Sequence, residues 1–88
     1  MVTKVYLVYD NGIEAYLQPF YARNKGEAAR GIADLVNDSN HQFSKHAADY
    51  TLFEVGEYDD KTGIIQMYTV KDNVASFVAL KKNQFEQQ

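Results

Sequence analysis

Rings and cations interleave most densely between residues 16 and 25 of this chain, where Tyr16, Phe20, Tyr21, Arg23 and Lys25 fall together. Aromatic faces accept unpaired bases at about 1–3 kcal/mol per base, and neighbouring cations hold phosphates. The chemistry suited to that grouping is capture of single-stranded nucleic acid without base preference. Arg30, Lys81 and Lys82 would add to its positive field. The same rings also suit packing, with Phe20 in the core and the tyrosines in cross-strand or subunit-interface pairs. Spacing alone favours packing.

Other chemistries find less support. His41 and His46 are the two histidines, and their spacing matches no zinc signature. The run Asp59-Asp60-Lys61-Thr62-Gly63 lacks the alternating oxygen ligands and closing Glu of a calcium loop, so it reads as a turn. Gly26 and Gly31 are not followed by the Gly-Lys-Ser/Thr of a phosphate loop. With no cysteine, thiol catalysis and thiolate metal sites are excluded. No Ser, His and Asp grouping suggests an activated nucleophile. The expectation is a protein that is not an enzyme and carries no metal or cofactor.

Charge is unevenly placed. Residues 1–30, 31–60 and 61–88 carry +1, −6 and +2 within a total of −3. The acidic excess comprises Asp34, Asp38, Asp49, Glu54, Glu57, Asp59 and Asp60. A net negative chain is a poor general binder of nucleic acid, but if the two ends of the chain meet in space, one face is basic on an acidic protein. The acidic middle suits a basic protein partner instead.

The elements that must position these groups follow from the pattern. Eighty-eight residues, 45% of them hydrophobic, make one domain spanning 1–88, with 83–88 expected as a flexible tail. No apolar run is long enough to span a membrane, and the first residues lack the features of a signal peptide. The expected location is therefore cytoplasmic. Val2 to Asp10 is rich in β-branched and aromatic residues and ends at Asn11-Gly12, which predicts a strand and a turn. Ala15 to Ala22 predicts a second strand, placed at an edge or bulge by Pro19.

Asn24 and Glu27 form a capping box, and Ala28, Ile32, Leu35 and Val36 make one helical stripe. Gly31 inside this helix suggests close approach to the sheet. Glu27, Arg30 and Asp34 are spaced for intrahelical pairing. Residues 39–49 read as a polar loop anchored by Phe43. Tyr50 to Tyr58 and Ile64 to Val70 predict a second hairpin. Asp72 then caps a short helix bearing Val74, Phe77 and Val78, although Ser76 to Leu80 could extend as strand.

The order is ββαββα, an α+β domain with a four-stranded antiparallel sheet of two hairpins and one or two helices. So few helices cannot cover both faces. The exposed face should carry several of Tyr6, Tyr16, Tyr21, Tyr58 and Tyr68, and such a patch most often marks a homodimer interface.

Two blocks add a family resemblance. The first is Ala15-Tyr16-Leu17-Gln18-Pro19-Phe20-Tyr21 with Asn24-Lys25-Gly26-Glu27-Ala28-Ala29-Arg30 and Val36-Asn37-Asp38. The second is Phe43-Ser44-Lys45-His46 followed by the run from Asp49 to Gly63. Together they resemble the small nonstructural protein of gokushoviruses, single-stranded DNA phages of the microvirus group. The family often has Pro after the histidine, where this chain has Ala47-Ala48. The resemblance implies a nonstructural DNA-binding phage protein made in the host bacterial cytoplasm, helping to turn genome replication toward single-strand synthesis and packaging. It transfers no site residues.

Two readings follow. In the first, the chain binds single-stranded DNA as a homodimer through Tyr16, Tyr21, Arg23, Lys25 and Arg30, supported by Lys81 and Lys82. In the second, it is an adaptor whose acidic middle contacts phage replication or capsid proteins, or a host factor.

Overall fold

The computed structural model describes residues 1–81. Its elements are β1 (Val2–Asp10), β2 (Ala15–Tyr16), β3 (Phe20–Ala22), α1 (Lys25–Val36), α2 (Gln42–Lys45), a 3-10 turn (Ala47–Asp49), β4 (Tyr50–Asp59), β5 (Ile64–Ser76) and α3 (Phe77–Leu80). Lys82 and the 83–88 tail lie outside the described residues.

The strands form one antiparallel sheet in the order β2-β1-β4-β5, with β3 also pairing β1. The expected second strand is thus two short ones, separated by Leu17-Gln18-Pro19 because proline cannot continue the ladder. The second hairpin is longer than expected. Its β5 runs on to Ser76 through a bulge in which Tyr68, Thr69, Val70 and Lys71 stand opposite Val55 alone. Asp72 therefore lies in the strand, and Ser76 caps the final helix by accepting from the Ala79 N–H. That helix is a single turn; Phe77 is buried, Val74 half-buried and Val78 exposed.

α1 begins where expected, with the Asn24 side chain accepting from the Glu27 N–H. The reciprocal bond is displaced by one residue, since the Glu27 carboxylate accepts from the Arg23 N–H rather than from Asn24. Ala28, Ile32 and Val36 are buried, whereas Leu35 faces outward. Gly31 does not approach the sheet: a Cβ there would meet nothing within 4 Å. Glu27 pairs with Arg23 instead of Arg30, so the expected pairs through Arg30 do not form among the described residues.

The expected loop at 39–49 contains α2 and the 3-10 turn, and Phe43 is its buried anchor. Phe43 packs edge-on against Tyr50 at 4.8 Å and Phe77 at 5.0 Å. The core joins these rings to Tyr6, Val8 and Leu52 from the sheet and to Ala28, Ile32 and Val36 from α1. Apolar burial of this kind is the main stabilising term.

Candidate functional site

All the helices among the described residues lie on one side of the sheet, and strand alternation decides what the other side carries. Residues directly opposite across a ladder share a face. Tyr6, Phe20 and Glu54 stand opposite one another, as do Val8 and Leu52, all on the helical side. Tyr9 with Tyr16, Val5 with Tyr21, Leu7 with Phe53, and Thr3 with Tyr58 fall on the open side. Ile65 and Met67 of β5 continue that open face.

The open face is an aromatic array. Tyr16 packs edge-on against Tyr9 at 4.9 Å and Phe53 at 6.3 Å, and Tyr21 tilts against Tyr58 at 5.6 Å. Tyr16 and Tyr21 are the most exposed of these rings, at 43% and 50%. Their partners on β1, Tyr9 and Val5, lie four residues apart, which separates the two positions by about 13 Å along the sheet. Lys71 reaches across from β5, with its ammonium 5.5 Å from the centre of the Tyr16 ring. This lysine has no ion pair among the described residues.

The cations grouped with these rings in the sequence are engaged by carboxylates. Arg23 donates from Nε to the Glu27 carboxylate at 2.8 Å. This bond, with the one from the Arg23 backbone, lowers the Glu27 pKa. Lys25 stands on the helical side, 2.8 Å from Asp72 and 3.9 Å from Glu54. These carboxylates, Asp72 first, raise its pKa. Arg30 is exposed on α1. Lys81 lies by the end of α3 and donates to the Ser44 carbonyl at 3.0 Å. The structure therefore brings Tyr16 and Tyr21 onto one face, holds Arg23 in an ion pair with Glu27, and does not gather Lys25, Arg30 and Lys81 beside the rings.

Tyr6 and Tyr68 also leave the expected set. Tyr6 is fully buried and donates to the Glu54 carboxylate at 2.9 Å, while Tyr68 donates to its other oxygen at 2.8 Å. Burial and the Glu54 charge raise the pKa of both phenols, that of Tyr6 strongly. Sequence reasoning missed Tyr9, Phe53 and Lys71. For Tyr9 the signal was present, since it shares strand parity with Val5 and Leu7. Phe53 and Lys71 required the β1–β4 register and the bulge in β5.

The acidic middle segment is dispersed. Asp49 lies just before β4 and Asp59 ends it, so they stand at opposite ends of a ten-residue strand about 30 Å long. Glu54 is buried between them, and Asp34 is on α1. Glu57 pairs with Lys4 at 3.0 Å, and Asp60 with the N-terminal amine at 2.6 Å. Those carboxylates raise the pKa of Lys4 and of the amine.

Among the described residues no group of three or more His, Cys, Asp or Glu could hold a metal ion, and no helix is long and apolar enough to cross a membrane. No curated protein and no solved structure matches this sequence. A family model does, that of the Phage ORF5 protein, and it covers residues 3–80. Both hairpins apart from Val2, α1 and the aromatic face lie within that match, and the chain belongs to the Phage ORF5 protein family.

Proposed function

We propose that this phage protein is a nonstructural, non-enzymatic protein that binds single-stranded DNA on the open face of its sheet, in the host cytoplasm, during genome replication or packaging. The observation that carries the reading is the pairing of two exposed rings, Tyr16 and Tyr21, with a cation, Lys71, on a face that no helix among the described residues covers. An uncovered aromatic face on an antiparallel sheet is a general platform for unstacked bases. The resemblance to a nonstructural protein of single-stranded DNA phages points the same way.

The magnitudes allow Lys71 to give way. A cation over an exposed ring is worth roughly 0.5–1 kcal/mol, whereas a base stacked on the same ring is worth about 1–3 kcal/mol. A base therefore displaces the ammonium from Tyr16, and the freed ammonium takes the adjoining phosphate. Binding rests on stacking more than on charge, because the total of −3 opposes a polyanion. The adaptor reading is less favoured: its acidic residues are divided between the two ends of β4, and Glu57 and Asp60 already hold cations.

The test is fluorescence anisotropy of a labelled oligonucleotide, single-stranded beside duplex, at several salt concentrations. Preference for the single strand with a shallow salt slope supports the reading. Equal binding of the duplex, or none at low salt, contradicts it.

A further inference from the structure

The two edges of the sheet differ in a way that calls for a partner. The outer edge formed by β2 and β3 is broken by Pro19 into strands of two and three residues, which leaves little backbone for another chain to join. The opposite edge, β5, is a strand of thirteen residues that pairs, among the described residues, only with β4. Its first seven residues, Ile64 to Val70, contain no charge and no proline. Ile64, Ile65, Met67 and Val70 are 62%, 48%, 57% and 77% exposed. Apolar side chains project on both faces here, with Ile64 opposite Asp59 on the helical side and Ile65 opposite Tyr58 on the open side. A neutral, β-prone edge without inward charge or proline is a template for strand addition; its regular part is Ile64 to Met67, which pairs residue for residue with β4 before the bulge at Tyr68 to Lys71.

We propose that Ile64–Val70 pairs antiparallel with the same segment of a second copy, making one continuous sheet across a twofold axis. Charge selects that occupant. The segment offers no counterion to a charged peptide, and its own sequence is the neutral match. Lys61 and Lys71 bracket it. Antiparallel pairing centred near Gln66 and Met67 sets Lys71 of one copy opposite Thr62 of the other and Asp72 opposite Lys61, an opposite-charge pair made twice by symmetry. An isologous contact of this kind closes at two subunits and consumes the free edge.

The axis runs perpendicular to the sheet, so both open faces lie on the same side. The dimer then carries two copies of the Tyr16, Tyr21 and Lys71 group on one surface. The pairing itself does not depend on DNA binding.

Sedimentation velocity on the full chain without nucleic acid tests it. The expected species at micromolar concentration has twice the 10.0 kDa of one chain. Ile65→Lys with Val70→Lys should weaken dimerisation tenfold or more with unchanged circular dichroism. Leu35→Lys, at an exposed apolar position on α1, should leave it intact. A wild type that stays monomeric overturns the proposal. So does a dimer that survives the paired lysines, or one that dissociates with Leu35→Lys instead.

Discussion

The Lys71 ammonium lies 5.5 Å from the centre of the Tyr16 ring, although the two residues belong to opposite edge strands, β5 and β2. The two side chains reach toward each other over the half-buried Leu7 and Phe53 and join the edges across the open face. A lysine held over a ring by the weak cation–π attraction is available to a stronger counterion.

Lys71→Gln should therefore act on DNA and not on the fold. Loss of one phosphate contact lowers the slope of log affinity against log salt by about 0.7 for a single strand. Anisotropy titrations with the variant measure this directly, and thermal unfolding should be unchanged to within about 0.5 kcal/mol. Lys25→Gln should do the reverse, losing its pairs with Asp72 and Glu54 while the salt slope remains.

Glu54 is the most constrained carboxylate in the fold, 5% exposed and accepting from both Tyr6 and Tyr68. Glu54→Ala strands two phenol hydroxyls and opens a cavity, so unfolding in urea should show a loss of about 2–4 kcal/mol. Glu54→Gln keeps the volume and one acceptor oxygen, and should cost about half as much.

The shielded phenols set an alkaline limit. Tyr6, Tyr50 and Tyr68 all have raised pKa values, chiefly through burial. A phenol whose folded pKa exceeds its unfolded value, near 10, contributes stability in full below about pH 10, and that contribution is lost as pH rises through the folded pKa. Above about pH 10 the unfolded chain releases phenol protons that the folded chain retains, so the unfolding free energy should fall with rising pH. Tyr6→Phe should make that fall shallower. Denaturant unfolding at a series of pH values checks both.

Two glycines should respond oppositely to alanine. Gly31 is helical with nothing near its missing Cβ, so Gly31→Ala should stabilise by about 0.5–1 kcal/mol. Gly56 would place a Cβ 2.6 Å from the Gln66 carbonyl oxygen, a backbone atom. Gly56→Ala must push β5 away from β4 and should cost about 1–3 kcal/mol. Thermal unfolding separates them, at roughly 4–8 °C per kcal/mol for a domain of this size.

Much of the fold was legible in local chemistry. β-branched and aromatic density marked β1 and β4, the Asn24 cap marked the start of α1, and Pro19 marked the broken edge. The bulge in β5 was hidden, because a one-against-four mismatch is created by pairing between strands. It converted the expected Asp72 cap into a strand residue. The candidate face was half legible: Tyr16 and Tyr21 were visible as rings, but their sequence neighbours Arg23 and Lys25 turn toward Glu27 and Asp72. Lys71, fifty-five residues from Tyr16 in sequence, becomes its neighbour only through the order β2-β1-β4-β5.

The central claim is that bases stack on the open face, and the most direct measurement compares the wild type with Tyr16→Ala and Tyr21→Ala in anisotropy titrations of single-stranded DNA. Each substitution should weaken binding by about 1–3 kcal/mol, roughly 5- to 150-fold, with circular dichroism unchanged. Binding that persists within twofold in both variants would place the DNA elsewhere and contradict the account.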